Sequence, residues 1–337
     1  MVEWYTRPLL HYLLVGGSLA IIMFLIYKGL LRAGVNREAA TGYALISPWF
    51  LGFLLWNLYP FLASLYFSLT TYNLFQAPQW VGPQNYITMF TQDPTFWPSV
   101  KLTLLYGLFS VPLGLIGAVA VALLLNQNVR GVGIWRTIYY LPAVLPAFAT
   151  ALLWRLLFAP TRNGLINAVT QPIWDLFRES APAWFIEPTL TMTLVPFIIM
   201  SLWGVFGANT VILLAGLKNI PRQLYEAASI DGANNWDKFW NITIPQLSPT
   251  IFYTLVIGII GAVQVFDAPL FIGRLPASLG NFLNVYLYTQ AFNFLKMGYG
   301  SAIAWFTFAL ILVLTILVFR SSEAWVFYES EVKGEGG

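Results

Sequence analysis

NIPRQLYEAASIDGANNWDKFWNITIPQLSP, running from Asn219 to Pro249, is a polar interruption in a chain that is otherwise mostly long apolar runs. Pro221 suits the start of a helix, where a missing N–H leaves nothing unpaired. Leu224, Ala227, Ala228 and Asp231 follow at helical spacing and form a narrow face that allows close contact. Gly232 stands where a helix would end in a left-handed residue. Asn234 or Asn235 can cap a second short helix, WDKFWNI, which is expected to stop before Pro245. The stretch therefore predicts helix, glycine turn, helix, lying at a membrane surface.

The rest of the chain agrees with a membrane setting. Of 337 residues, 58% are hydrophobic and only 9% charged, and the mean hydropathy is +0.70. A soluble domain carries about 25% charged residues, so the composition indicates an integral membrane protein. Fourteen Trp suit anchoring at two membrane–water interfaces. A net charge of +3 is too small to imply a nucleic-acid partner. With no Cys, disulfides, thiolate metal sites and cysteine nucleophiles are excluded, and a single histidine, His11, leaves little room for a histidine-based metal site.

The same surface stretch resembles the EAA loop of permease subunits of binding-protein-dependent ABC importers. The pattern stands here as Glu226-Ala227-Ala228, Asp231-Gly232-Ala233, Ile242 and Ile244-Pro245, with Ile244 where the family has Leu. FSLTTYN (67–73), VGPQNY (81–86) and DPTFWPSVKLT (93–103) are similar to the carbohydrate-uptake branch, of the maltose and glycerol-3-phosphate type, over about Gly42 to Arg320. That resemblance implies an all-α polytopic membrane protein with the six-helix type I ABC importer core. It also implies partners: a second homologous permease, two ATP-binding subunits that carry ATP and Mg, and an external solute-binding protein. The chain holds no G-x-x-x-x-G-K-[ST] phosphate loop of its own. Hydrolysis is thus assigned to the partners, and no cofactor to this chain. By the resemblance Glu226, Ala227, Ala228, Asp231, Gly232, Ala233, Ile242 and Pro245 form the ATPase-coupling surface, Glu226 pairing with a basic ATPase residue. The alternative for Glu226 is a local pair with Arg222, worth only a few tenths of a kcal/mol.

Seven spans are predicted, at about 9–31, 43–69, 102–125, 137–158, 189–214, 250–272 and 299–319. The first is too long for a signal-peptide core and is read as an extra N-terminal helix. Residues 1–40 then form that helix and a linker, 41–320 the transporter domain, and 321–337 a short tail. Lys28, Arg32, Arg37, Arg130, Arg136, Lys218, Arg222, Lys238, Arg320 and Lys333 fall inside. Arg7, Lys101, Arg155, Arg162, Arg178, Arg274 and Lys296 fall outside. Ten of the 17 cations inside set the N-terminus outside a bacterial or archaeal plasma membrane. Residues 159–188 are read as an outer loop.

Among the acidic residues only Asp267 falls in a predicted span, and an intramembrane carboxylate calls for a cavity or a partner. Gln264 lies three residues earlier, on the same predicted helical face. Ser201, Trp203 and Asn209 add hydroxyl, indole and amide groups in the fifth span. Neutral polar groups and aromatics of this kind hold sugars, and the resemblance to maltose-type permeases points to the same two helices. The alternative is that Gln264 and Asp267 only bond neighbouring helices. Ala143 and Ala147 replace polar groups of the maltose-type pattern, which points away from maltose itself. Arg155 is read as snorkelling to the interface, so a neutral sugar is expected. A self-sufficient secondary transporter would need repeated halves or paired membrane charges. A membrane enzyme would need a convergent catalytic cluster. Neither signature is found.

Overall fold

A computed structural model of the chain describes residues 2–127, 130–161, 164–177, 182–273 and 275–327. Arg162, Arg178, Arg274 and Lys333 of the charge count, and most of the 321–337 tail, lie outside the described residues.

Residues 1–67 form one compact unit. In it α1 (Val2–Arg32) turns at Gly34, which takes a φ of +85°. Helix α2 (Arg37–Phe53) is capped by the Asn36 side chain, which accepts from the Ala39 N–H at 2.9 Å. A π-turn at Leu54–Leu58 joins α2 to α3 (Tyr59–Ser68).

The second unit, residues 68–337, holds the rest. A two-residue ladder pairs β1 (Thr70–Thr71) with β2 (Gln79–Trp80) antiparallel. There follow α4 (Gln84–Thr91), α5 (Phe96–Leu125), α6 (Val132–Val144), α7 (Ala147–Leu157), α8 (Leu165–Phe177) and α9 (Leu190–Asn219). Then come α10 (Arg222–Ile230), α11 (Asn235–Lys238), α12 (Ile244–Val263), α13 (Asp267–Ile272), α14 (Leu283–Tyr288) and α15 (Met297–Ser322). Among the described residues five helices are long and apolar enough to cross a membrane, and two bent pairs, α6–α7 and the halves of α9, bring the number to as many as seven if each pair is one span. These overlap the seven predicted spans.

Helices α5 and α9 pack along their length. Close approach depends on small residues: a Cβ added at Gly207 would lie 2.8 Å from the Tyr139 carbonyl oxygen of α6. At Gly216 it would lie 2.7 Å from Thr250 Oγ1 of α12. A chain of edge-to-face rings, Tyr106–Phe282–Phe197–Phe185–Phe158–Trp184, fills the main core. The segment after α13 folds back onto α5, where Ser99 Oγ accepts from the Asn281 N–H at 3.1 Å and Thr103 Oγ1 from the Leu283 N–H at 2.9 Å.

Residues 159–188, the connection read as an outer loop, carry a helix of their own, α8, in which Leu165, Val169, Ile173 and Leu176 recur at helical spacing. One expectation is corrected. The helix begun at Asn235 does not stop before Pro245. A π-turn at Phe239–Thr243 bonds the Ile244 N–H to the Phe239 carbonyl, and the widened turn relieves the clash that a proline ring makes with the carbonyl four residues earlier. Helix α12 therefore continues directly from α11.

Candidate functional site

Two helix breaks face one cavity. In the first, Pro146 bars Leu145 from the helical region, and Leu145 is extended with ψ 140°. Helices α6 and α7 consequently meet at 96°. In the second, a helix running through Val265 would drive the Pro269 ring into that residue's carbonyl. The chain leaves helical geometry at Phe266 (φ −138°, ψ −58°), and Pro269 falls in the first turn of α13 instead. The continuous helix expected over 250–272 is thus divided, with Gln264 ending α12 and Asp267 opening α13.

Between the breaks lies a cavity of about 540 Å³. Ala143, Leu145, Ala147 and Thr150 line it from the first break, and Gln264, Phe266 and Asp267 from the second. Tyr106 of α5 and Ser201, Gly204 and Asn209 of α9 complete the wall. A second cavity of about 270 Å³ shares Tyr106, Ser201 and Asn209 and adds Ser110 and Thr254. Of the five residues predicted to contact solute, Ser201, Asn209, Gln264 and Asp267 therefore come together, although the last two sit on different helices. Trp203 does not line the cavity; its ring packs edge-to-face on Trp154 with centroids 5.8 Å apart. Ala143 and Ala147, singled out as departures, are both on the cavity wall and make that part of it apolar.

Sequence reasoning missed Tyr106, whose hydroxyl faces those of Ser110 and Ser201. The available signal was the pair Tyr106 and Ser110, one turn apart in an otherwise apolar span. No group of three or more His, Cys, Asp or Glu suited to a metal occurs among the described residues.

The α10–α11 segment forms a rigid knob at the other end of the α12 rod. Helix α10 ends at Asp231, and Gly232 takes φ +83°, which lets the Ala233 N–H bond the Ala228 carbonyl at 2.9 Å. A capping box closes the turn, since Asp237 N–H donates to Asn234 Oδ1 at 3.0 Å and Asn234 N–H to Asp237 Oδ2 at 3.1 Å. Lys238 Nζ donates to Ser229 Oγ at 2.8 Å across the two helices, and the hydroxyls of Tyr225 and Thr243 lie 3.0 Å apart. Glu226 and Ala227 are exposed, Ile242 packs half-buried against the core, and Ile230 is 88% exposed. Glu226 makes no ion pair with Arg222. An exposed carboxylate and an exposed apolar side chain thus stand on a braced platform.

Comparison with known proteins gives a consistent picture. Residues 110–326 match the family described as binding-protein-dependent transport system inner membrane component. The chain is 40% identical over 303 residues to the probable ABC transporter permease protein YesP of Bacillus subtilis, covering 88% of this chain and 95% of that protein. It is 31% identical to the trehalose/maltose transport system permease protein MalF of Thermococcus litoralis, covering 84% and 94%. A crystal structure of a bacterial alginate ABC transporter, in complex with an alginate pentasaccharide-bound periplasmic protein, contains a chain of the same fold. The TM-score is 0.72 at 22% identity, covering 88% of this chain and 96% of that one.

Proposed function

This chain belongs to the family of binding-protein-dependent transport system inner membrane components, and we propose that it serves as the permease subunit of an ATP-driven sugar importer. The observation that carries this reading is that the knob and the cavity are the two ends of one rod. Helices α11 and α12 run without interruption from Asn235 to Val263, a length of roughly 40 Å, and the break at Gln264–Asp267 follows at once.

The rod gives a mechanism. A pair of ATPase subunits, which bind ATP and Mg, receives the knob through Glu226, Ala227, Ala228, Asp231, Gly232, Ala233, Ile242 and Pro245. Closure of that pair displaces the knob, and α12 carries the displacement to the second break. There Gln264 and Asp267 shift against the α6–α7 elbow, and the cavity turns from one side of the membrane to the other. In this arrangement the knob is cytoplasmic, the N-terminus is outside a bacterial or archaeal plasma membrane, and a solute-binding protein delivers sugar from the outer face. A second, homologous permease completes the path. Hydroxyl, amide and carboxylate groups backed by Phe197 and Phe266 suit a polyol ring with apolar faces. Relatives named for arabinooligosaccharides, trehalose/maltose and lactose agree with that solute class.

The reading is tested by copurifying the chain from its native membrane in mild detergent and identifying its companions by mass spectrometry. An ATPase and a second permease are expected with the wild type, and the ATPase is expected to be lost or uncoupled with Glu226→Lys. A chain that purifies alone and still moves solute without ATP would overturn it in favour of a secondary transporter.

A further inference from the structure

Two of the helices that line the cavity also line a further pocket at their far ends. Helix α7 gives Thr150 to the cavity and Arg155 to the pocket, about 7–8 Å further along its axis. Helix α13 gives Asp267 to the cavity and Ile272 to the pocket. The pocket measures about 320 Å³, and Arg155 is exposed in it. Its wall is aromatic and buried: Phe158, Trp184 and Phe185 are each less than a tenth exposed. Trp184 is held by its indole N–H, which donates to the buried Asn167 Oδ1 at 2.7 Å. Among the described residues no carboxylate lies within 4 Å of the Arg155 guanidinium.

With no carboxylate partner among the described residues and low-dielectric rings behind it, the Arg155 guanidinium can receive a planar anion in a two-point fork. The sign of charge then reverses along the path, since the carboxylate lining the cavity belongs to Asp267. We propose that this pocket is an outer subsite of the translocation path and takes the carboxylate of an acidic sugar unit. The neutral remainder of the oligosaccharide reaches the cavity, from which Asp267 repels a second carboxylate. This inference rests on the sugar-importer reading and narrows its substrate class to oligosaccharides with an acidic end.

The chain contains no Cys, so Ile186→Cys, at a pocket residue 64% exposed, places a single thiol beside Arg155. The complex purified from its native membrane is placed in phosphatidylcholine nanodiscs and labelled with an anionic sulfonatoethyl or a cationic trimethylammonioethyl methanethiosulfonate. The ratio of anionic to cationic rate is expected to fall about threefold or more on adding Arg155→Gln, and to survive Arg155→Lys. D-glucuronate is expected to slow labelling at lower concentrations than D-glucose, and Arg155→Gln to abolish that difference. An unchanged rate ratio in Arg155→Gln, or equal protection by the two sugars, would overturn the proposal. So would protection by phosphatidylglycerol in the disc but not by glucuronate, which would make Arg155 a lipid anchor. Loss of the importer reading is seen separately, as the absence of an ATPase from the purified complex.

Discussion

The side-chain amide of Asn284 donates to the main-chain carbonyl of Gln264 at 2.9 Å. In an unbroken helix that carbonyl would accept from the N–H four residues on, and the break has removed this partner. The carbonyl lies at the cavity wall, where water can replace a lost partner in part, so Asn284 steadies the second break. Asn284→Leu keeps the volume and deletes the donor. It should cost about 0.5–1.5 kcal/mol and lower the thermal midpoint in detergent by roughly 1–4 °C. Solute uptake should fall as well, because the break forms one wall of the cavity. An unchanged midpoint and unchanged uptake would show that the bond holds nothing.

Gly232 can be separated from mere small size. Its φ of +83° is left-handed, with open space around a built Cβ, so conformation alone restricts the position. Asn adopts that region readily and a β-branched residue does not. Gly232→Asn should therefore retain solute-stimulated ATP hydrolysis in the purified complex, whereas Gly232→Val should lose most of it while α5, α9 and the cavity stay folded. Equal activity in both variants would detach the knob geometry from coupling.

At the cavity, Asp267→Asn preserves shape and removes charge. A hydrogen bond to a charged group contributes about 1.5–3 kcal/mol, so uptake should drop about tenfold or more. Tyr106→Phe should lower it less, since a neutral donor is lost. Both complexes should copurify with their partners as the wild type does. Uptake at the wild-type rate by Asp267→Asn would place the solute elsewhere.

What could be read from the chain beforehand depended on range. The knob was legible because its determinants are local: Pro221 before α10, Gly232 after it, and the Asn234–Asp237 box all act within a few residues. The spans were legible from apolar length alone. Which face of a span looks inward was not legible, because α9 is apolar all round and carries no stripe. Ser201 and Trp203 therefore looked equivalent, yet only Ser201 meets the cavity. The break at Gln264 was half written, in Pro269, and half set by Asn284, twenty residues on. The run through Pro245 escaped notice because a π-turn has no strong sequence signature.

Asn167 is the tie that holds the segment before α9. Fully buried, it accepts from the Trp184 indole at 2.7 Å and directs its amide to the carbonyls of Pro182 at 3.0 Å and Thr161 at 3.1 Å. Asn167→Leu strands these groups at nearly constant volume, at a cost of about 2–3 kcal/mol and a midpoint lowered by roughly 4–10 °C. Trp184→Phe should be milder, since one donor leaves with its bond. If thermal unfolding ranked the two the other way, ring packing rather than the amide would hold the segment.

Asp93 accepts hydrogen bonds from the hydroxyls of both Tyr286 and Tyr299, and from the Thr95 N–H at 2.8 Å. Burial first, then the hydrogen bond to Asp93 and its negative charge, push the Tyr286 hydroxyl well above the usual phenol range. Unfolded, the same group loses its proton near pH 10. The folded chain therefore binds more protons than the unfolded one above that pH. Stability from neutral Tyr286 is complete below about pH 10 and is lost progressively as the pH rises toward the elevated folded value. Thermal midpoints of the detergent-solubilised protein from pH 8 to 11 should fall above about pH 10. They should fall less steeply in Tyr286→Phe, which cannot ionise, even though its midpoint at pH 8 is lower for want of the bond. Parallel curves for the two proteins would mean that Tyr286 ionises in the folded state as it does in water, and that Asp93 does not hold its proton in place.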